Sequence, residues 1–243
     1  RTEAAQRLAD AYPFAVSGPA RGLILARWLG EGRQDLLVAN YLRAASVEEQ
    51  TVYLEAFAKM LAGSPESLGQ LRQLHHDVTE PAAKDRLAGL LVSESLRQGE
   101  PDQALAVLAA MTTPAEKEKA TLEIARHYAN DGAFLEVRQM IRDGAPEYAN
   151  QLWQVLAVGN ARAGSVAEAI RIVDEQLAEA PQRQETLAGI IRELVAARRH
   201  AAAILLLDRV AESALKICLS YQIEAGLYQD PETPDYQKIR EIE

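Results

Sequence analysis

Turn residues of this chain recur at a nearly constant interval. Each one ends an apolar-patterned segment and precedes another, and they are Gly32, Ser64, Gly99, Gly132, Gly164 and Arg198. Their successive separations are 32, 35, 33, 32 and 34 residues. A fixed period of roughly 20 to 50 residues is typical of an array of similar structural units. The chain is therefore predicted to consist of about six repeated units of about 33 residues each.

Residues at fixed distances from these turns keep the same character from unit to unit. Only apolar residues stand eight and seven positions before the turns: Ile24 and Leu25, Ala56 and Phe57, Leu91 and Val92, Ile124 and Ala125, Leu156 and Ala157, Ile190 and Ile191. Five positions after the turns stand Leu37, Gly69, Ala104, Val137, Ala169 and Ala203, and nine positions after them only Gln73 is polar. This pattern predicts a hairpin of two amphipathic helices in each unit. Such hairpins must stack on one another to bury both faces.

Composition and helix-start signals favour the same architecture. Apolar residues make up 48% of the 243 residues and aromatic residues only 5%, a balance that favours helices over strands. A hydroxyl side chain is followed three residues later by Glu at Ser46–Glu49, Thr113–Glu116 and Ser165–Glu168. This spacing predicts helix N-termini with reciprocal side-chain capping. The fold class predicted from these signals is all-α.

One stretch of the chain resembles the tetratricopeptide repeat family, whose period is about 34 residues. The residues that carry the resemblance fall at the family's spacing between Trp153 and Pro181: Trp153, Leu156, Gly164, Ala169, Ile170 and Pro181. With the upstream units, where spacing and apolar pattern alone support it, the resemblance covers roughly residues 15 to 215. It implies a scaffold in which the first helix of each pair lines a concave groove that binds other proteins.

The predicted fold is a right-handed superhelical α-solenoid of stacked antiparallel helix hairpins. A single solenoid domain is expected to cover residues 1–243, with about six helix pairs over 15–213. An N-terminal helix is predicted over 2–12, a capping helix over 213–228 and a tail over 231–243. Because Arg1 replaces an initiating Met, we expect that an upstream segment has been removed.

The resemblance also predicts which residues line the groove: those thirteen, ten, nine, six, three and two positions before each turn. In the later units this set contains six cations against Glu123 and Glu185, a net +4 in a chain of net charge −9. The cations are Arg86, Arg97, Lys119, Arg126, Arg162 and Arg192. In the first two units the set is apolar and small and includes Leu23 and Leu54. We predict that the groove binds an acidic or amphipathic peptide, or a carboxylate terminus. Alternatively, the arginines solvate an exposed helix face and the leucines contact the N-terminal helix.

No residue pattern indicates catalysis, a metal site or a cofactor. His75 and His76 are adjacent and point apart on a helix, and no HExxH or CxxC spacing is present. His127 and His200 stand beside turns, where solvated imidazoles are expected. The only cysteine, Cys218, lacks the context of a nucleophile, and a buried hydrophobic role is expected. The chain is predicted not to be an enzyme and to use no cofactor.

Aromatic side chains fall on the inward positions of the repeat, and core packing is predicted for Trp28, Tyr53, Tyr128 and Trp153 rather than ligand stacking. The net charge of −9 opposes binding to nucleic acid or to anionic lipid. No apolar run approaches the length of a membrane span, so direct membrane insertion is not expected. One cysteine leaves the compartment open between cytoplasm and periplasm.

The function predicted from these features is a non-catalytic scaffold for a protein or peptide partner. Two alternatives stay open. The chain could be the helical, non-catalytic region of a larger enzyme, such as a cell-wall lytic enzyme. It could also be a homo-oligomer that buries its apolar groove or its terminal helix against a second copy.

Overall fold

A computed structural model describes residues 27–28, 31, 33–43, 46, 50, 53, 67–78, 81–144 and 146–229. Within these ranges all regular secondary structure is helical and no strand occurs, which confirms the predicted all-α class. The helices predicted over 2–12 and the tail over 231–243 lie outside the described residues. Most of the first two predicted units lies outside them as well.

Eleven α-helices are present in the described ranges. In chain order they are α1 (Gln34–Arg43), α2 (Ser67–Asp77), α3 (Pro81–Arg97), α4 (Pro101–Ala110), α5 (Pro114–Asn130), α6 (Phe134–Asp143), α7 (Ala149–Arg162), α8 (Val166–Gln176), α9 (Arg183–Ala196), α10 (His200–Leu207) and α11 (Ser213–Gln229). A 3-10 turn, Pro146–Tyr148, precedes α7. Helices α3, α4 and α5 begin at proline, whose missing N–H costs nothing at the first helical position. The chain divides into two compact units, residues 1–124 and 125–243.

In unit 1, helix α3 packs against both α2 and α4. Leu91 and Val92 are buried on α3, as the repeat predicts. The Tyr41 hydroxyl donates a hydrogen bond to the Ala83 carbonyl oxygen at 3.0 Å, which ties α1 to α3. The prediction that Gly69 faces inward is wrong, because Gly69 is exposed. Its neighbour Leu68 is buried instead, since a leucine removes far more apolar surface from water than a glycine.

In unit 2, α7 packs against α8 and also against the next first helix, α9. Helix α9 in turn packs against α10 and against α11, so the same contact pattern occurs twice. Seven and eight positions before the turns and five positions after them, the predicted inward residues of unit 2 have 0% exposure: Ala125, Val137, Leu156, Ala157, Ala169, Ile190, Ile191 and Ala203. Nine positions after the turns, Val173 is buried but Ile141 and Leu207 are half-buried. The apolar register predicted for unit 2 is therefore confirmed at the first three positions and only partly at the fourth.

The four predicted turn residues within the described ranges share one backbone conformation. Gly99, Gly132, Gly164 and Arg198 have φ values of 75°, 76°, 89° and 57°. At each turn the N–H of the following residue donates to the carbonyl oxygen five residues earlier, at 2.8 Å in all four cases. This is the helix C-cap that normally favours glycine. Arg198 keeps the same backbone geometry although it has a side chain.

Helix starts are capped differently from the sequence prediction. Ser165 makes no side-chain capping bond to α8, and the Glu168 carboxylate binds Arg138 and Arg171. The reciprocal cap predicted there is therefore wrong. Side chains from another helix cap the starts of α5 and α11, and the two acceptors are Asp85 and Gln184.

The two inter-helix caps occupy the same position of the repeat, fourteen residues before a turn. In unit 1, Asp85 Oδ2 accepts from the backbone N–H groups of Thr112 and Thr113 at 2.9 and 2.5 Å, and from the Thr112 hydroxyl at 3.0 Å. In unit 2, Gln184 Oε1 accepts from the Ala211 N–H at 2.9 Å. These donors stand one or two residues before Pro114 and Ser213, the first residues of α5 and α11.

Candidate partner-binding surface

One face of the first helices in unit 2 is open to solvent. It contains the residues thirteen, nine, six and two positions before each turn, together with the C-terminal end of α5, and all are exposed or half-buried. We call this face the first-helix stripe; its members are Arg126, Asn130, Gln151, Val155, Val158, Arg162, Glu185, Gly189, Arg192 and Ala196. Some predicted groove positions are instead buried, namely Ala129, Ala161 and Ala188. Those positions face the neighbouring helix, since small residues there let the helices pack closely.

Two glycines bring the helices of the stripe together. An added Cβ on Gly159 would lie 2.8 Å from the Ala129 Cβ and 3.3 Å from the Ala129 carbonyl oxygen. An added Cβ on Gly189 would lie 2.9 Å from Val158 Cγ2. Any larger residue would force these helices apart, because such distances are shorter than a carbon contact allows. The end of α5, helix α7 and helix α9 therefore form one continuous surface.

The three predicted groove cations of unit 1 all have partners. Arg97 Nε and Nη2 donate to the Glu94 carboxylate at 2.8 and 2.5 Å, and this bonding raises the pKa of Arg97. Lys119 Nζ lies 3.1 Å from Glu116 Oε1. Arg86 donates to the side-chain oxygen of Gln50. The charges of Arg97 and Lys119 are thus offset by acids that lie outside the predicted groove positions.

In unit 2, Arg162 links two first helices. Its Nε and Nη2 donate to the two carboxylate oxygens of Glu193 at 3.0 and 2.6 Å, and Nη1 donates to Asn130. The hydrogen bonds to Glu193 raise the pKa of Arg162. A guanidinium held by two parallel bonds to a carboxylate has well-defined geometry. Arg162 therefore acts as a clasp between α7 and α9 rather than as a freely available cation.

The other two predicted cations of unit 2, Arg126 and Arg192, are exposed. Neither has an acceptor or an ion-pair partner among the described residues. Both stand six positions before a turn, on α5 and α9 respectively. The predicted apolar residues Leu23 and Leu54 lie outside the described residues, so the apolar half of the groove stays a prediction. The structure thus brings Arg126, Arg162 and Arg192 onto one surface and leaves two of them without a counter-charge.

Two expectations about reactive side chains are wrong. His200 was expected at the surface, but its exposure is 1%, because Gly226 of α11 lies against its ring. Neither ring nitrogen has a hydrogen-bond partner in the described part of the chain. Cys218 was expected to be buried, but it is exposed. Its neighbour Leu219 takes the inward position of α11 together with Ile223.

The remaining three histidines have different surroundings. The Nε2 atom of His127 lies 3.4 Å from Asp131 Oδ2. His75 is half-buried, and burial together with the nearby Lys84 charge lowers its pKa, whereas His76 is exposed. Among the residues that the structure describes, no three or more His, Cys, Asp or Glu side chains are placed to hold a metal ion.

The aromatic side chains divide into two groups. Trp28 and Tyr53 are buried at 0% and 1% exposure, which confirms their predicted core role. Tyr128 and Trp153 are only half-buried. The Arg138 guanidinium carbon lies 5.9 Å from the centroid of the Trp153 ring, a geometry in which a cation is attracted to the aromatic face. Trp153 therefore packs partly against a cation that also binds Glu168.

The chain matches no protein family, no curated protein and no solved structure. In the described ranges no helix combines the length and the apolar character that crossing a membrane requires. The tetratricopeptide resemblance accordingly stays a prediction. For the described residues, the structure adds regular secondary structure that is entirely helical, four equivalent turns and a solvent-facing stripe in unit 2.

Proposed function

We propose that this chain is a non-catalytic protein–protein interaction scaffold, built as a right-handed solenoid of tetratricopeptide-like helix hairpins. A peptide or partner protein binds along the first-helix stripe of unit 2. The observation that carries this proposal is the pair of exposed arginines, Arg126 and Arg192, at equivalent positions of the repeat without acceptors among the described residues. Their positive charge is available to a ligand that supplies carboxylates.

Recurrence within unit 2 supports the solenoid. Helix α7 contacts its own partner α8 and the next first helix, and α9 does the same with α10 and α11. The turns at Gly132, Gly164 and Arg198 repeat one backbone hydrogen-bond pattern at 2.8 Å. Identical turns and identical helix contacts at a near-constant interval generate a stack in which each unit packs against its neighbours.

Rigidity supports the choice of the stripe as the binding surface. Close contacts at Gly159 and Gly189 and the Arg162–Glu193 clasp hold the helices that carry Arg126 and Arg192. A surface that is already ordered loses less conformational entropy when a ligand binds. The ligand therefore meets two cations that are carried by packed helices rather than by flexible loops.

A peptide-display selection tests the proposal. The full chain is immobilised and a random peptide library is selected against it, followed by affinity measurements by fluorescence anisotropy. We expect acidic peptides to be enriched, and Arg126→Glu and Arg192→Glu each to weaken their binding. Arg142→Glu is the matched control, because Arg142 is an exposed arginine on the second helix α6. Peptides that bind equally to all three variants would remove the stripe as the site.

Self-association is a second candidate function, favoured by an apolar surface at the end of unit 2. Leu205 of α10 is 76% exposed, and Ile217 and Tyr221 of α11 are 58% and 67% exposed. Ile217 and Tyr221 are four residues apart and so share one face of α11, and exposed apolar side chains that lie together are typical of interaction surfaces. Sedimentation equilibrium of the chain and of Ile217→Ser/Tyr221→Ser separates the two candidates. A concentration-dependent dimer that the double variant abolishes would favour self-association, whereas a monomer for both would exclude it.

A further inference from the structure

Three side chains in unit 2 occupy one position of consecutive first helices. Arg126, Val158 and Arg192 each stand six residues before a turn, on α5, α7 and α9. The outer two are exposed and Val158 is half-buried. Close contacts at Gly159 and Gly189 make the three helices direct neighbours. The stripe therefore presents cation, apolar side chain and cation in a row that crosses the helices.

The length of this row follows from helix packing. Axes of packed helices lie about 8 to 10 Å apart, and small residues at the contact favour the short end of that range. Two such steps separate α5 from α9, so equivalent positions on them are about 16 to 18 Å apart. An extended peptide advances about 3.3 Å per residue. It therefore spans this distance with residues separated by about five or six positions in its sequence.

The acidic residues of α9 define where along the helices such a peptide crosses. Glu193 is bound to Arg162, so its charge is already compensated. Glu185 is exposed and stands seven residues before Arg192, about 10 Å along the helix axis. An acidic peptide is repelled at the level of Glu185 and attracted at the level of Arg192. This fixes the crossing at the row of Arg126, Val158 and Arg192.

Resting on the proposed function, we propose that the stripe recognises an extended peptide with two acidic side chains about six residues apart and an apolar side chain midway between them. The acidic side chains pair with Arg126 and Arg192, and the apolar side chain packs on Val158. The spacing of the two carboxylates, rather than their number, is the recognised feature, because the two arginines are held on separate rigid helices.

Designed peptides test the spacing. Three labelled peptides with blocked ends contain two Glu and one Leu in a Ser/Gln background, with the Glu residues two, six or ten positions apart and the Leu kept between them. Binding to the full chain is measured by fluorescence anisotropy at low and high salt. We expect the six-position peptide to bind at least about fivefold more tightly than the other two, and salt to weaken it because exposed ion pairs are screened.

Variants separate this inference from the proposed function. Arg126→Glu and Arg192→Glu are each expected to weaken the six-position peptide about tenfold, and Val158→Ser to weaken a Leu peptide but not one with Ser midway. Arg142→Glu is expected to change nothing, and circular dichroism verifies that each variant folds. Equal affinity for all three spacings, or no binding of the six-position peptide at millimolar concentration, overturns the inference. If library-selected peptides still depend on Arg126 and Arg192, the proposed function survives; if they do not, both fail.

Discussion

Units 1 and 2 use different chemistry at one position of the repeat. Fourteen residues before a turn, unit 1 has the carboxylate of Asp85 and unit 2 has the amide of Gln184. Both accept from backbone N–H groups at the start of a later helix. Asp85 accepts three hydrogen bonds and is 4% exposed, whereas Gln184 accepts one from the exposed Ala211. The position in the repeat thus determines which backbone N–H groups are bound, and the residue type determines how many hydrogen bonds form and how strong they are.

The predicted groove cations that pair with acids also differ between the units. In unit 1, Arg97 and Lys119 pair with acids of their own helix. In unit 2, Arg162 pairs across helices, while Arg126 and Arg192 are exposed. An ion pair within one helix compensates the positive charge of the cation without linking it to another helix. Pairing across helices holds the surface together and leaves the neighbouring arginines for a ligand.

The largest effect is expected from removing the Asp85 cap. Asp85→Ala leaves the N–H groups of Thr112 and Thr113 without this acceptor. Thr112 is exposed and Thr113 is half-buried, so water can partly replace the carboxylate, and the loss of the bonds to a charged acceptor should lower the free energy of unfolding by about 2 kcal/mol. Gln184→Ala removes one neutral bond and should cost about 1 kcal/mol. Urea unfolding of the full chain measures both. Equal losses would contradict the comparison between the units.

Low pH should weaken the Asp85 cap of unit 1 and leave the Gln184 cap of unit 2 unchanged, because only Asp85 titrates. Burial by itself would raise the pKa of Asp85, but the hydrogen bonds from Thr113 and Thr112 outweigh it and lower the pKa. The stabilisation is therefore fully present above the unfolded-state pKa of about 4, and is lost as pH falls through the lower folded-state value.

Below pH 5 the wild type should lose stability more steeply than Asp85→Asn, whose side chain does not titrate. Asp35 and Glu168 have lowered pKa values from their hydrogen bonds to Arg33 and Arg171, so the variant should keep part of the acid dependence. Urea unfolding between pH 3 and 7 measures the difference, which should grow as the pH falls through the lowered folded-state pKa of Asp85. Parallel pH profiles of the two proteins would count against the Asp85 cap.

A smaller effect is expected at the turns, where unit 1 has Gly99 and unit 2 has Arg198. Gly99→Ala should lower the free energy of unfolding by about 1 kcal/mol, because alanine is strained at positive φ. No steric clash adds to this cost, since nothing lies within 4 Å of a Cβ at this position. Arg198→Gly should be more stable than Arg198→Ala by a similar amount. Thermal unfolding of the three variants tests whether a side chain at positive φ lowers stability by the same amount at both turns. Opposite signs would show that the turns are not equivalent.

The smallest effect is expected from the cross-helix clasp. A double-mutant cycle of Arg162→Ala and Glu193→Ala should give a coupling of about 0.5 kcal/mol, because exposed ion pairs are worth little. The same cycle for Arg97 and Glu94, which share a helix, should give about 0.3 kcal/mol. Both should shrink in high salt. A coupling within error of zero for Arg162 and Glu193 would mean that this ion pair does not help to hold α7 and α9 together.

Much of the fold follows from local pattern. The apolar residues eight positions before the turns are buried at Leu91, Ile124, Leu156 and Ile190, because helical periodicity alone places them on one face. Turn positions were equally predictable, even at Arg198, since the interval between units locates a turn whatever its residue. The all-α class required nothing beyond these local signals.

The errors share a different cause. His200 is buried and Cys218 exposed because α11 packs over α10 with Leu219 and Ile223 inward, and a position beside a turn does not reveal what covers it. The caps at Asp85 and Gln184 join residues 27 or 28 positions apart. Local capping motifs cannot show such pairs, which is why the cap expected from Ser165 and Glu168 was wrong.

Residue types and their spacing were sufficient to establish the helices, their turns and the candidate cations, because these depend on periodicity within about 35 residues. Which of the cations remain uncompensated was decided only by tertiary structure. Arg162 and Arg192 occupy similar helix surfaces, yet packing brings Glu193 to one and no acid to the other. Which partner a long side chain meets on another helix depends on distances set by tertiary packing, and the linear order of residues does not contain those distances.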